Sequence, residues 1–182
     1  APKEGAWDDF VRAHMLGRVL ATQLFTQGFL PLHGSAVASR EGVIAFLAPK
    51  GFGKSSLALA MAKEGAGLVS DDLLPIEPSE PPRAWPGVRS LRVNEDSIAA
   101  VGVDARSEDT REGKRALHRN AGAMAPDKPL PLAALFLIAP MDAKPDGPVV
   151  ARTPLAPVLA AAALVAHVKI GRMLGPSAAG PM

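Results

Sequence analysis

The residues best suited to chemistry lie in one stretch, Ala48-Pro49-Lys50-Gly51-Phe52-Gly53-Lys54-Ser55-Ser56. Two glycines, a lysine and a serine hydroxyl in this order resemble a phosphate-binding P-loop, although Ala48 stands where the pattern has its first glycine. A polyphosphate needs N–H donors that converge at close range. A glycine loop entering a helix supplies them, because glycine lets backbone approach oxygen and the helix N-terminus leaves N–H groups unpaired. On this reading Lys50, Gly51, Phe52, Gly53, Lys54, Ser55 and Ser56 bind nucleotide. Lys54 reaches the β- and γ-phosphates, and Ser55 holds Mg²⁺.

Two further groups complete a reaction centre. Asp71 and Asp72 end the apolar stretch Gly67-Leu68-Val69-Ser70, and carboxylates at the C-terminal end of a strand fall where α/β sheets bind ligands. One can bind Mg²⁺ while the other takes a proton from an acceptor hydroxyl. His33 arrives by strand pairing. The apolar segments 32–39 and 42–47 flank Ser39-Arg40-Glu41-Gly42, which reads as a hairpin with a two-residue loop. Ser39 then faces Gly42, and His33 stands opposite Ala48 at the loop entrance. Each group also has a plainer reading: a strand-to-helix turn, an acidic turn, and a histidine at a strand end.

The rest of the chain must position these groups. Trp7, Phe10, Val11, Met15, Val19, Leu20 and Leu24 recur at helical steps, with Asp8 and Asp9 in the first turn and Gly28 as a C-terminal cap. Residues 55–64 form the helix after the glycine loop, ended by Gly65. Residues 75–86 are proline-rich and read as loop. Residues 88–93 alternate as a strand carrying Arg89 and Arg92. Residues 104–131 read as a polar, basic, mobile loop with room for a short strand, whose Lys114 and Arg115, with Arg89, are candidates to clamp phosphate or substrate. Residues 132–139 are the strongest buried-strand run, 149–152 an edge strand, and a last helix starts at Thr153-Pro154. Residues 1–5 and 171–182 read as disordered or loosely packed.

Composition bounds the function. The 182 residues suit one domain, and 48% hydrophobic against 21% charged is globular. A net charge of +2 argues against nucleic-acid or membrane-surface binding. Without cysteine there is no disulfide, thiolate metal site or thiol nucleophile. The longest apolar run, 157–166, is shorter than the roughly 20 residues of a membrane span, and a cytoplasmic location is expected.

Leu32-His33-Gly34-Ser35-Ala36-Val37-Ala38, the glycine loop, and Leu68-Val69-Ser70-Asp71-Asp72 resemble the catalytic domain of HPr kinase/phosphorylase. They resemble still more closely the short HPr-kinase-like proteins, including kinases of lasso-peptide precursors. Trp85-Pro86-Gly87-Val88-Arg89-Ser90-Leu91-Arg92 is similar to their Pro-Gly-x-x-x-Leu-Arg segment, and Lys114-Arg115 to their Lys-Arg pair. The resemblance implies an α/β P-loop kinase fold of the HPr kinase/phosphoenolpyruvate carboxykinase type, a mixed sheet with flanking helices, spanning 1–182 as one domain. It implies ATP- and Mg²⁺-dependent phosphorylation of a serine in a peptide or protein, by a homo-oligomer. It makes Asp71 the general base, places Asp72 and Ser55 at the metal, Lys54 on phosphate, and His33 beside the acceptor. The family's amino-terminal recognition domain has no counterpart, which points to a peptide rather than to HPr. Lys50 stands where the family commonly has Ser or Gly. Two other functions fit the same residues: a small-molecule kinase, and a nucleotide-binding regulatory module without transfer activity.

Overall fold

Alternating apolar residues on either side of Arg40-Glu41 let two strands close with a minimal loop. The computed structural model of the chain, which describes residues 15–103, 107–109, 115–117, 124–139 and 150–170, contains that hairpin. After β1 (Leu30–Leu32), strands β2 (Gly34–Ser39) and β3 (Gly42–Leu47) pair antiparallel from Ser39 with Gly42 back to Gly34 with Leu47. His33 therefore stands just beyond the last pair, level with Ala48, as the two-residue loop requires. Gly34 is needed for this closure: a Cβ there would lie 2.8 Å from the Phe46 carbonyl oxygen.

The remaining described elements are β4 (Gly67–Ser70), β5 (Leu74–Glu77), β6 (Arg83–Ala84), β7 (Leu91–Val93), β8 (Ser107–Asp109), β9 (Arg115–Leu117) and β10 (Leu130–Leu137). A π-helical turn, Met15–Val19, leads into helix α1 (Leu20–Thr26), and α2 (Lys54–Lys63), α3 (Glu95–Val101) and α4 (Pro157–His167) follow. Seven strands form one mixed sheet in the order β1-β5-β6-β10-β3-β2-β4; β7, β9 and β8 form a second. The architecture is α/β with helices flanking a mixed sheet.

Strand direction gathers the polar groups at one end. β10 runs parallel to β3, while β2 runs antiparallel to both β3 and β4. The C-terminal ends of β3, β4 and β10 and the start of β2 thus share one edge. β4 is not the immediate neighbour of β3; β2 lies between them, carrying Ser35. Strand alternation divides the core. Val37, Phe46, Leu68, Leu91 and Val93 pack with Ala58 and Leu59 of α2 on one face. Ala36, Val43, Ala45, Leu47 and Val69 fill the other, where Leu164 of α4 packs against them.

Several expectations are corrected. The proline-rich segment contains β5 and β6 rather than loop alone. Pro75 faces Pro31 across the β1–β5 pair, and their carbonyls turn outward to accept from the Trp85 and Lys169 amides, at 2.9 and 2.8 Å. Neither proline is asked for the N–H it lacks. Residues 88–90 lie outside β7. Helix α3 was not expected; Asn94 caps it by accepting from the Ser97 amide at 3.0 Å, and Gly102 ends it in the left-handed conformation. β10 sits inside the sheet yet none of its residues is fully buried, because its neighbours leave both faces only partly covered. Residues 150–152 form no strand, and α4 starts at Pro157, where a proline at the first turn costs no hydrogen bond. Half of the 104–131 segment is described, and it holds β8, β9 and the start of β10 rather than loop alone; the other half, residues 1–5 and 171–182, and the first part of the N-terminal helical pattern lie outside the described residues. Among the described residues no helix is long and apolar enough to cross a membrane.

Candidate functional site

The chain leaves β3 at Leu47 and turns through Ala48–Gly53 into α2. Gly51 (φ 93°) and Gly53 (φ 80°) occupy the left-handed region, where a side chain would be strained. Gly53 is the N-cap of α2 and, lacking a side chain, gives no cap hydrogen bond. The first turn of α2 holds no acidic residue but does hold Lys54, a cation at the positive end of the helix dipole. Lys54 is only 7% exposed, and its Nζ donates to the carbonyls of Ala48 (2.8 Å) and Pro49 (3.0 Å). The lysine therefore lies across the loop that it closes.

Opposite the loop, the Asp71 side chain is fixed from three directions. Its Oδ1 accepts from Ser35 Oγ at 2.5 Å and from Ser55 Oγ at 2.9 Å; its Oδ2 accepts from the Arg92 amide at 3.1 Å. It is 3% exposed. Burial pushes the Asp71 carboxyl above its ordinary value, the two serine hydroxyls and the Arg92 amide pull against that rise, and neighbouring Asp72 adds to it.

Asp72 has the opposite character. It adopts φ 71°, uncommon for a residue with a side chain. His33 Nδ1 lies 3.0 Å from its Oδ1, and Lys169 Nζ lies 2.6 Å from its Oδ2. Burial alone would raise this carboxyl; the His33 hydrogen bond and the Lys169 charge outweigh it and hold the group well below the usual carboxylate range.

These groups line one cavity of about 330 Å³, walled by His33, Lys50, Gly51, Gly53, Lys54, Ser55, Ser56, Asp71, Asp72, Arg92, Val93, Asn94 and Ser97. Of the expected nucleotide-binding residues, only Phe52 is missing from the wall; its side chain is 42% exposed. Lys50 is exposed and on the wall. Ser56 Oγ donates to Ser97 Oγ at 2.8 Å, tying α2 to α3. Arg89 is turned elsewhere, pairing with Asp127 at 2.8 Å and donating to the Pro126 carbonyl, and Arg92 takes the place at the cavity. Lys114 lies outside the described residues. Arg115 falls in β9, paired with Val93.

Sequence reasoning did not single out Ser35, Arg92, Asn94, Ser97 or Lys169 as site residues. Ser35 follows from pairing β2 with β4, and Asn94 and Ser97 from their helix-cap spacing. Lys169 has no local signal; it is 97 residues from its partner. Ser55 meets Asp71, whereas Asp72 is engaged by His33 and Lys169. A serine hydroxyl beside a carboxylate is a hard-oxygen pair of the kind that Mg²⁺ accepts. Among the described residues there is no group of three or more His, Asp or Glu that could hold a metal ion.

The Asp71 turn depends on Gly87. The Asp71 amide donates to the Val88 carbonyl at 2.7 Å and the Gly87 amide to the Val69 carbonyl at 3.1 Å. A Cβ on Gly87 would collide with Ser70 Oγ and the Leu73 carbonyl oxygen. Gly87→Ala is expected to destabilise the protein by about 1–3 kcal/mol, the scale of overpacking; an unchanged urea midpoint would show that the turn can shift without loss.

Comparison with protein-family models, with curated proteins and with solved structures finds no match.

Proposed function

We propose that this protein is an ATP- and Mg²⁺-dependent P-loop kinase of the HPr-kinase-like type that phosphorylates a serine hydroxyl of a peptide or protein, with a lasso-peptide precursor as one candidate substrate. The observation that carries the reading is the 2.9 Å contact between Ser55 Oγ and Asp71 Oδ1 beneath an uncapped helix N-terminus. A loop that only joined a strand to a helix would have no need of a lysine, a hydroxyl and a buried carboxylate on one cavity wall.

The reading gives each group a task. Backbone N–H groups of the Gly51–Ser55 turn and the Lys54 ammonium neutralise the triphosphate. Ser55 and Asp71 are the residues that would hold Mg²⁺, which when bound offsets charge on the β- and γ-phosphates. Asp72 is 44% exposed on its side chain and can accept the hydrogen bond of an incoming hydroxyl, with His33 beside it. The acceptor oxygen forms its bond to the γ-phosphorus, the bond to the β-phosphate oxygen breaks, ADP leaves, and the hydroxyl proton passes to the Asp72–His33 pair. The roles expected of the two aspartates are thus exchanged: Asp71 is too buried to meet a peptide, and Asp72 is not.

The test is intact-mass analysis of serine-containing precursor peptides co-expressed with the wild type or with Asp71→Asn. A mass gain of one phosphate with the wild type alone is the expected result. ATP turnover stimulated by a metabolite and not by peptides would move the acceptor to small molecules. ATP binding without transfer to any acceptor would leave a regulatory module.

A further inference from the structure

We propose that Lys169 is a positioning residue for phosphoryl transfer: with His33 it grips Asp72 from two sides and holds that carboxylate at the cavity wall for the acceptor. The inference rests on the kinase reading and extends it to a residue that no motif marks.

All three acceptor atoms of Asp72 are engaged. Lys169 Nζ contacts Oδ2 at 2.6 Å and the main-chain oxygen at 3.2 Å. His33 Nδ1 contacts Oδ1 at 3.0 Å and the same main-chain oxygen at 3.2 Å. Two side chains thus hold both the carboxylate and the left-handed backbone of one residue, a conformation that persists only where its surroundings enforce it.

Lys169 is itself fixed by a short strap that follows α4. Val168 bridges to Leu32, the Lys169 amide donates to the Pro31 carbonyl, and the His33 amide donates to the His167 carbonyl at 2.7 Å. Ile170, 4% exposed, packs with Ala21 and Leu73. Consecutive strap residues therefore touch consecutive turn residues, Lys169 on Asp72 and Ile170 on Leu73. A lysine whose side chain is 14% exposed sacrifices hydration and rotamer freedom, and its charge is directed to Asp72. Lys169 does not line the cavity, whereas His33 and Asp72 do, so it acts through Asp72.

The test uses the full chain with γ-labelled ATP and Mg²⁺, water serving as acceptor, and calorimetry for ATP binding. The proteins are the wild type, Lys169→Met, Lys169→Arg, Asp72→Asn and the Lys169→Met/Asp72→Asn double variant. Lys169→Met and Asp72→Asn are each expected to lower kcat by about tenfold or more with little change in ATP affinity. Lys169→Arg keeps the charge and should recover most of the loss. The double variant should be no slower than Asp72→Asn alone, because both changes remove the same positioned group. Wild-type kcat in Lys169→Met, or a double variant slowed by the product of the two single effects, overturns the role of Lys169 while the kinase reading stands. A wild type that binds no ATP overturns the kinase reading and this role together. Thermal melting of each variant separates a lost grip from a lost fold: a collapsed Lys169→Met with a folded but slow Lys169→Arg would also overturn it.

Discussion

Lys54→Ala is expected to weaken ATP binding by about 10- to 100-fold, the scale of one or two charge-assisted hydrogen bonds. Lys54 is 7% exposed and sits in the first turn of α2. A cation at a helix N-terminus opposes the dipole, and burying an ammonium gives up hydration. The Ala48 and Pro49 carbonyls accept hydrogen bonds from its ammonium. Polyphosphate would add charge-assisted hydrogen bonds to the same ammonium, roughly twice as strong as neutral ones. Alanine is also an excellent helix former, so α2 itself should survive. Calorimetry with ATP reads the affinity, and thermal melting reads the loop. An unchanged dissociation constant would reduce Lys54 to a brace for its own loop and remove the nucleotide reading with it.

Why much of this site was legible in the sequence, and some was not, follows from the range over which each signal acts. His33 was placed by a two-residue loop, since hairpin register is fixed locally once the turn is known. The glycine loop and the start of α2 are equally local. Asp71 and Asp72 were found because a short apolar strand ends at them, but the different partners they take were not. That depends on β2 lying between β3 and β4, which puts Ser35 and Ser55 on Asp71 and leaves Asp72 to His33. Helix α3 was missed although Asn94-Glu95-Asp96-Ser97 carries a cap and first-turn acids. The prolines at 75, 78, 81, 82 and 86 signalled loop, and only pairing with β1 shows how Pro75 can sit in a strand. Lys169 was beyond reach, because its contact with Asp72 is tertiary throughout.

Adjacent carboxylates with opposite shifts also set opposite pH dependences of stability. Asp71 is raised above 3.8 in the folded protein. The folded state then holds that proton more tightly than the unfolded chain, and stability falls as pH climbs from about the unfolded value through the folded one. Asp72 is lowered, so its contribution is present above its unfolded value and is lost as pH falls below it. Wild-type stability should therefore pass through a shallow maximum on the acid side of neutrality. Urea midpoints across that range check this: Asp71→Asn should flatten the limb above the maximum, and Asp72→Asn the limb below it.

The largest kinetic effect is expected for the same Asp71→Asn change, which should lower phosphoryl transfer by about 10²- to 10³-fold. Asparagine is nearly isosteric, and the surroundings can adapt. Its oxygen can accept from the Arg92 amide, and its NH₂ can donate to Ser35 and Ser55, whose hydroxyls accept as readily as they donate. The fold should persist, with the burial of a charge removed. What disappears is the negative charge beside Ser55, and with it the hard-oxygen pair for Mg²⁺. The loss should be accompanied by a higher Mg²⁺ requirement. Asp72→Asn, by contrast, should slow transfer at an unchanged Mg²⁺ requirement, because Asp72 is held by His33 and Lys169 on the acceptor side. Titrating activity against Mg²⁺ in the two variants separates the roles. Should Asp72→Asn be the one whose Mg²⁺ requirement rises, the exchange of roles inferred from the Ser55–Asp71 contact would be wrong, and the metal would belong with Asp72 after all.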